Sequence, residues 1–258
     1  MRLLLYGGAL AYRALFNWTT PAMFIGTLLI GPIFQLLFFA YLGRQLGVES
    51  DSYYIVGNAL LATSAPCLFG GTMAIANERR FGTLASVLLS PRSRTVIFCG
   101  RALPYAANGL LVAGFTLIAG TFLLGLRIPV GAWAGLLLAM TAASLSAAFF
   151  GLVLGSIGLR FRDVWLVSNS VAAILVLLSD TIVTRSILPP FMRAVGDFLP
   201  LTHSARAARS LVGGAPLSSV LPELGIELAI AAGFGLLATV MLKVFETESR
   251  RTASLETL

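Results

Sequence analysis

Six apolar runs punctuate the chain, near residues 22–43, 53–76, 100–125, 133–158, 164–185 and 222–244. Each is long enough to cross about 30 Å of hydrocarbon at about 1.5 Å per helical residue. Polar residues gather in the short connections between them. The pattern predicts an all-α polytopic membrane protein, with residues 1–258 forming a single domain. Pro21 opens the first run and Pro32 is placed to bend it.

Ahead of the first run, Arg2, Tyr6, Arg13 and Asn17 share one helical stripe, with Leu3, Leu10, Leu15 and Trp18 on the other face. This predicts an amphipathic helix over residues 1–20, lying in the membrane interface. Its apolar part is interrupted by Gly7-Gly8 and followed at once by Arg13, so it reads as a retained helix, not a cleaved leader. Near the other end, residues 186–221 form the longest connection. Phe191, Val195 and Leu199 recur every fourth residue until Pro200, and a second short helix runs through Ala205, Ala208 and Leu211 to a stop at Gly213-Gly214. Both pieces are too short to span and apolar enough to dip into the outer leaflet.

Composition agrees. Hydrophobic residues make up 57% and charged residues 11%, against roughly 25% charged in soluble domains. The net charge of +7 does not point to nucleic acid, because the arginines sit at the ends of apolar runs, where they face lipid headgroups and set topology. Counting them with the N-terminus inside places 12 of the 18 basic residues on the cytoplasmic side and six outside. Both termini are therefore expected in the cytoplasm of a bacterial plasma membrane. Cys67 and Cys99 lie far apart in or beside apolar runs, with neither disulfide nor metal spacing.

The most informative connection runs from Asn77 to Arg94. Gly82 permits a sharp turn, Thr83 can cap a helix, Leu84, Val87 and Leu88 make one apolar face, and Pro91 ends the element. A short cytoplasmic helix with charges at its entry and arginines at its exit suits docking in a groove on a soluble partner. This stretch resembles the ABC-2 type permeases, whose loop between spans two and three carries Glu-Arg-x-x-Gly-Thr-Leu, then Leu-Leu and Ser-Pro. Glu78, Arg79, Gly82, Thr83, Leu84, Leu88, Leu89, Ser90 and Pro91 match that pattern. Leu199-Pro200-Leu201-Thr202 through Arg209, Leu211 and Gly213 is similar to the family's segment before the last span.

The resemblance implies a type V exporter-like permease of the drug, lipid or polysaccharide exporter kind, with antibiotic resistance among the roles of such proteins. It implies that Glu78, Arg79, Arg80, Gly82, Thr83, Leu84, Leu88 and Pro91 form a coupling helix on an ATPase subunit. Two permease subunits, identical or sister chains, would sit over two ATPases, surrounded by lipid. No cofactor would be bound by this chain; ATP and magnesium would belong to the ATPase. The sequence holds no Gly-x-x-x-x-Gly-Lys-Ser/Thr phosphate loop, and its one lysine, Lys243, ends the last run.

Asp180, beside Thr181 and one turn from Thr184, falls inside the fifth run. A carboxylate there costs about 2.5–3.5 kcal/mol on insertion scales. It lines a substrate path, pairs with Arg185, or lies solvated near the outer interface. Asn169, with Ser168 and Ser170, makes a polar patch expected to hydrogen-bond between helices or, second, to line the path. Glu227 is expected near the outer end of the last run as a polar anchor. His203, Arg206 and Arg209 form a stripe read as a solvated outer face. Gly151-x-x-x-Gly155 and Gly131-x-x-x-Gly135 are small-residue packing motifs, and Arg160-Phe161-Arg162-Asp163 an ordinary inner loop. The polar residues do not suit an intramembrane protease: the one histidine cannot make His-Glu-x-x-His, and Gly155-Ser156-Ile157-Gly158 misplaces the serine of a rhomboid-type site. A transporter working without ATP would need more intramembrane acids or two related halves.

Overall fold

In hydrocarbon an unpaired backbone group finds no water, so a spanning segment satisfies its own N–H and C=O groups as a helix. Every regular element among the described residues is accordingly helical. The computed structural model describes residues 25–47, 49–80, 82, 94–157 and 164–252. The interfacial helix expected over 1–20, the coupling helix from Thr83 to Ser90 and the Arg160–Asp163 loop lie outside the described residues.

A π-helical turn, Ile25–Ile30, leads into α1 (Gly31–Leu46), with Pro32 in its first turn, where a missing N–H does no harm. Gly47, at φ 62°, ends α1 by donating its N–H to Gly43 at 2.9 Å. Arg44 then bridges to Asp51, Nε lying 2.8 and 3.0 Å from the two carboxylate oxygens, and closes the turn into α2 (Asp51–Leu61). A π-helical stretch, Ala65–Phe69, joins α2 to α3 (Gly70–Arg80). Pro66 cannot donate a backbone bond, and the Thr63 and Ser64 hydroxyls occupy the carbonyls of Leu60 and Leu61 at 2.7 and 2.6 Å.

Next come α4 (Arg94–Leu124), α5 (Ala132–Ile157), α6 (Val164–Leu178), a 3-10 turn (Arg185–Ile187), α7 (Pro190–Gly196), α8 (Thr202–Val212) and α9 (Leu217–Thr252). The two short helices expected between Phe191 and Gly213 are α7 and α8. Among the described residues, five stretches are long and apolar enough to cross a bilayer: Ile25–Leu46, Asp51–Asn77, Gly100–Leu124, Ala132–Ile157 and Leu217–Val244. The fifth expected run, 164–185, is helical only to Leu178, 15 residues or about 22 Å. Its remainder folds back as a corner.

The core forms around α5, whose inward side is largely alanine, serine and glycine. A Cβ at Gly151 would lie 2.6 Å from the Leu68 carbonyl oxygen, and one at Gly155 would lie 2.9 Å from that of Thr72. The Gly151-x-x-x-Gly155 stripe thus lets α5 and the π-kinked span touch backbone to backbone. Gly131 faces open space, so Gly131-x-x-x-Gly135 is not a packing stripe; Gly135 alone receives the side chain of Leu211. Ser168 fulfils the expected helix-to-helix bond, donating from α6 to the Thr72 hydroxyl oxygen on α3 at 3.3 Å. Asn169 and Ser170 instead bond back to their own helix at Trp165 and Leu166.

Candidate functional site

The antiparallel run of the helices puts the 47–50 turn, residues 125–131 and the segment 179–216 at one end of the bundle. The last turn of α3, the start of α4, the end of α5 and the start of α6 fall at the other. The first end carries a connected set of charges.

Helix α6 stops where Asp180 adopts φ 54°, one of two positive-φ residues other than glycine among the described residues. Arg209, from α8, holds this corner. Its Nη1 donates to the Asp180 carbonyl at 2.5 Å and its Nη2 to the Thr181 carbonyl at 2.9 Å. The guanidinium carbon lies 3.5 Å from the centroid of the Tyr53 ring. Gly57 on α2 leaves the room this requires, since a Cβ there would stand 1.7 Å from the Thr181 carbonyl oxygen. Burial pulls Arg209 below the usual arginine range, with Tyr53 and Asp180 opposing the shift.

The Asp180 carboxylate accepts from the Tyr53 hydroxyl at 3.1 Å and from the Arg185 backbone N–H at 3.2 Å. Arg206 and Arg209 stand 3.7 Å away. The expected alternative of a pair with the Arg185 side chain is corrected: only that residue's backbone reaches Asp180. The Arg185 guanidinium forks onto Asp197, with Nη2 at 2.7 Å from Oδ2, while Arg206 Nη2 meets Asp197 Oδ1 at 2.7 Å. Hydrogen bonding from Arg185, reinforced by Arg206, outweighs desolvation and lowers the Asp197 carboxyl to about 2. The same bond raises Arg185.

The second positive-φ residue is Leu201, at φ 78°, immediately before α8. The carboxylate of Glu227, on α9, sits at the start of that helix and takes three backbone donors. These are Leu201 at 2.9 Å, His203 at 3.2 Å and Ser204 at 3.1 Å; the Ser146 hydroxyl of α5 also donates to it. Three backbone N–H groups at the start of the helix meet at one carboxylate favoured by the helix N-terminus. Glu227 is therefore not an anchor near the surface, as expected, but fully buried.

The stripe of His203, Arg206 and Arg209 is likewise corrected. It faces inward, because α8 packs against α2, α5 and α9 beneath the 179–199 segment. His203 is buried, with Nδ1 2.5 Å from Glu223 Oε2 and Nε2 3.0 Å from the Asp197 carbonyl. The spacing of the stripe was legible, but not which face of α8 would be covered. Tyr53, Gly57, Asp197 and Glu223 carried no sequence signal beyond being polar residues or a glycine near span ends.

Of the other expected site residues, Thr181 is buried and its hydroxyl lies 3.0 Å from that of Ser179. Thr184 is half-buried, 3.4 Å from Glu49. Asp180, Thr181 and Thr184 thus come together, whereas Asn169 is exposed farther down α6. At the opposite end, Glu78, Arg79 and Arg80 form the last turn of α3, and Gly82 follows at φ 67°. Thr83, Leu84, Leu88 and Pro91 lie outside the described residues. Among the described residues, no group of His, Cys, Asp and Glu could hold a metal ion. A protein-family model described as "ABC-2 type transporter" matches residues 8–212. No curated protein matches the chain.

Proposed function

Because the chain belongs to the ABC-2 type transporter family, we propose that it is the permease subunit of an exporter driven by a separate ATP-hydrolysing subunit. The observation that carries this reading is the family match, which spans both the Glu78–Pro91 stretch and the outer segment up to Val212. In this reading the chain crosses the membrane six times, the short α6 included, and the arginine distribution favours both termini in the cytoplasm. Two copies, or this chain and a sister permease, form the path, and two ATPases bind beneath residues 78–91. The cargo is a drug, a lipid or another amphiphile.

The arrangement of elements supports a mechanical account. Helix α3 leads from the buried, π-kinked span directly into Glu78, Arg79 and Arg80. A displacement of the segment after Gly82 would push along α3 against α5, where backbones touch at Gly71, Gly151 and Gly155. Packed helices shift between discrete arrangements instead of bending continuously. At the outer end, Asp180 and Thr181 serve as the seat of a closed cap, since their polar groups are already engaged by Tyr53, Arg209 and Ser179. Asn169 and Thr184 retain surface for a passing substrate. The exposed Ile187, Phe191, Val195 and Phe198 around α7 rest in the outer leaflet.

Reconstitution with the ATPase subunit tests the reading. The double variant Glu78→Ala, Arg79→Ala is expected to insert normally and to lose ATP-coupled export. Transport at the wild-type rate in that variant would overturn the coupling assignment.

A further inference from the structure

Two carboxylates one turn apart on α9, Glu223 and Glu227, meet the first turn of α8 in different ways. Glu227 is fully buried and engages backbone N–H groups. The Glu223 side chain is 35% exposed and engages the ring of His203. That ring is in contact with acceptors on both sides: Glu223 Oε2 is 2.5 Å from Nδ1 and the Asp197 carbonyl oxygen is 3.0 Å from Nε2. A carbonyl can only accept, so Nε2 carries a hydrogen. An ionised carboxylate can only accept as well, so the Nδ1 contact also needs a hydrogen, on the ring or on the carboxyl group. A neutral imidazole has one N–H. The trio is complete only with one proton beyond a neutral ring beside an ionised carboxylate.

We propose that this shared proton is a latch that fastens the end of α7 to the last span, and that raising the pH on its side of the membrane releases it. The outer placement rests on the orientation given above. When the proton leaves, Nε2 keeps its hydrogen on Asp197, and the Nδ1 lone pair is left against a carboxylate. The latch therefore holds at lower pH and fails as pH rises. Other groups around it are already committed. Glu227 of α9 takes the backbone N–H of His203; Arg206 of α8 and Arg185 hold the Asp197 carboxylate; α5 presents the Ser146 hydroxyl; and Tyr53 of α2 is bonded to Asp180.

His203 is the one histidine in the chain, so ring-15N-histidine labelling of the protein, prepared without a histidine tag, gives a single ring to follow by NMR. The same preparation in lipid nanodiscs, with C67A and C99A, can carry spin labels at the exposed positions Val195→Cys on α7 and Leu221→Cys on α9. The label distance is expected to widen in the same pH step that moves the ring signals. In Glu223→Gln the amide donates a permanent hydrogen to Nδ1, so the short distance is expected on both sides of that pH step. In His203→Ala the distance is expected to be wide throughout. A wild-type distance that stays fixed while the ring loses its proton, or a wild-type pH step that persists in His203→Ala, would overturn the proposal. No ATPase or substrate is present, so neither result depends on the transport reading.

Discussion

The backbone N–H of Leu201, just ahead of α8 and at φ 78°, donates to the carboxylate of Glu227 on α9 at 2.9 Å. Leucine adopts such a backbone reluctantly, and it persists where the surroundings over-determine it. Here the surroundings are one buried charge that collects the N–H groups of Leu201, His203 and Ser204. The start of α8 is thereby fastened to α9 and, through Ser146, to α5.

Removal of that charge is expected to loosen α8. Each buried donor left without an acceptor costs ~1–3 kcal/mol. Glu227→Ala should lower the melting temperature in detergent by clearly more than Glu227→Gln, which keeps one acceptor oxygen. Equal, small shifts for both variants would contradict the role assigned to the carboxylate.

Gly57 is expected to tolerate no side chain, because its Cβ would meet the Thr181 carbonyl oxygen at 1.7 Å. Gly114, in α4, has open space around it. There alanine should be neutral or stabilising, by up to about 1 kcal/mol, through helix propensity. Thermal unfolding of the two alanine variants side by side checks the contrast.

Arg209 is expected to be irreplaceable even by lysine. Its two Nη atoms reach successive carbonyls while its plane lies on Tyr53, and an ammonium cannot reproduce that fork. In Arg209→Lys, amide hydrogen exchange should accelerate in residues 181–188 and leave α4 unchanged. Unaltered protection of that segment would remove the clamp from consideration.

Acid should release α7. The Asp197 carboxyl is lowered to about 2 by Arg185 and Arg206, so its stabilisation is present above the unfolded value of 3.8 and is lost as pH falls toward about 2. Hydrogen exchange of α7 should rise across that interval in the wild type. In Asp197→Asn it should be faster already near neutral pH and flatter with acid.

The membrane helices were legible in the sequence because, in lipid, a helix is decided locally: an apolar run must pair its own backbone, and run length alone selects it. The same holds for α7 and α8: α8 stops at Gly213 as expected, and α7 ends at Gly196, four residues ahead of Pro200. The match of Glu78 through Pro91 to a family pattern was equally local. What tertiary structure decided was where each polar group finds its partner. Tyr53 and Asp180 are 127 positions apart, and Ser146 and Glu227 are 81 apart. Nothing in the spacing along one helix could reveal that α8 turns His203 and Arg209 inward, or that α6 ends at Leu178 because Arg209 and Gly57 make room for a corner at Asp180. A charge near a span end looks solvated in sequence. It becomes buried once another helix covers it, and that depends on packing between segments the sequence keeps far apart.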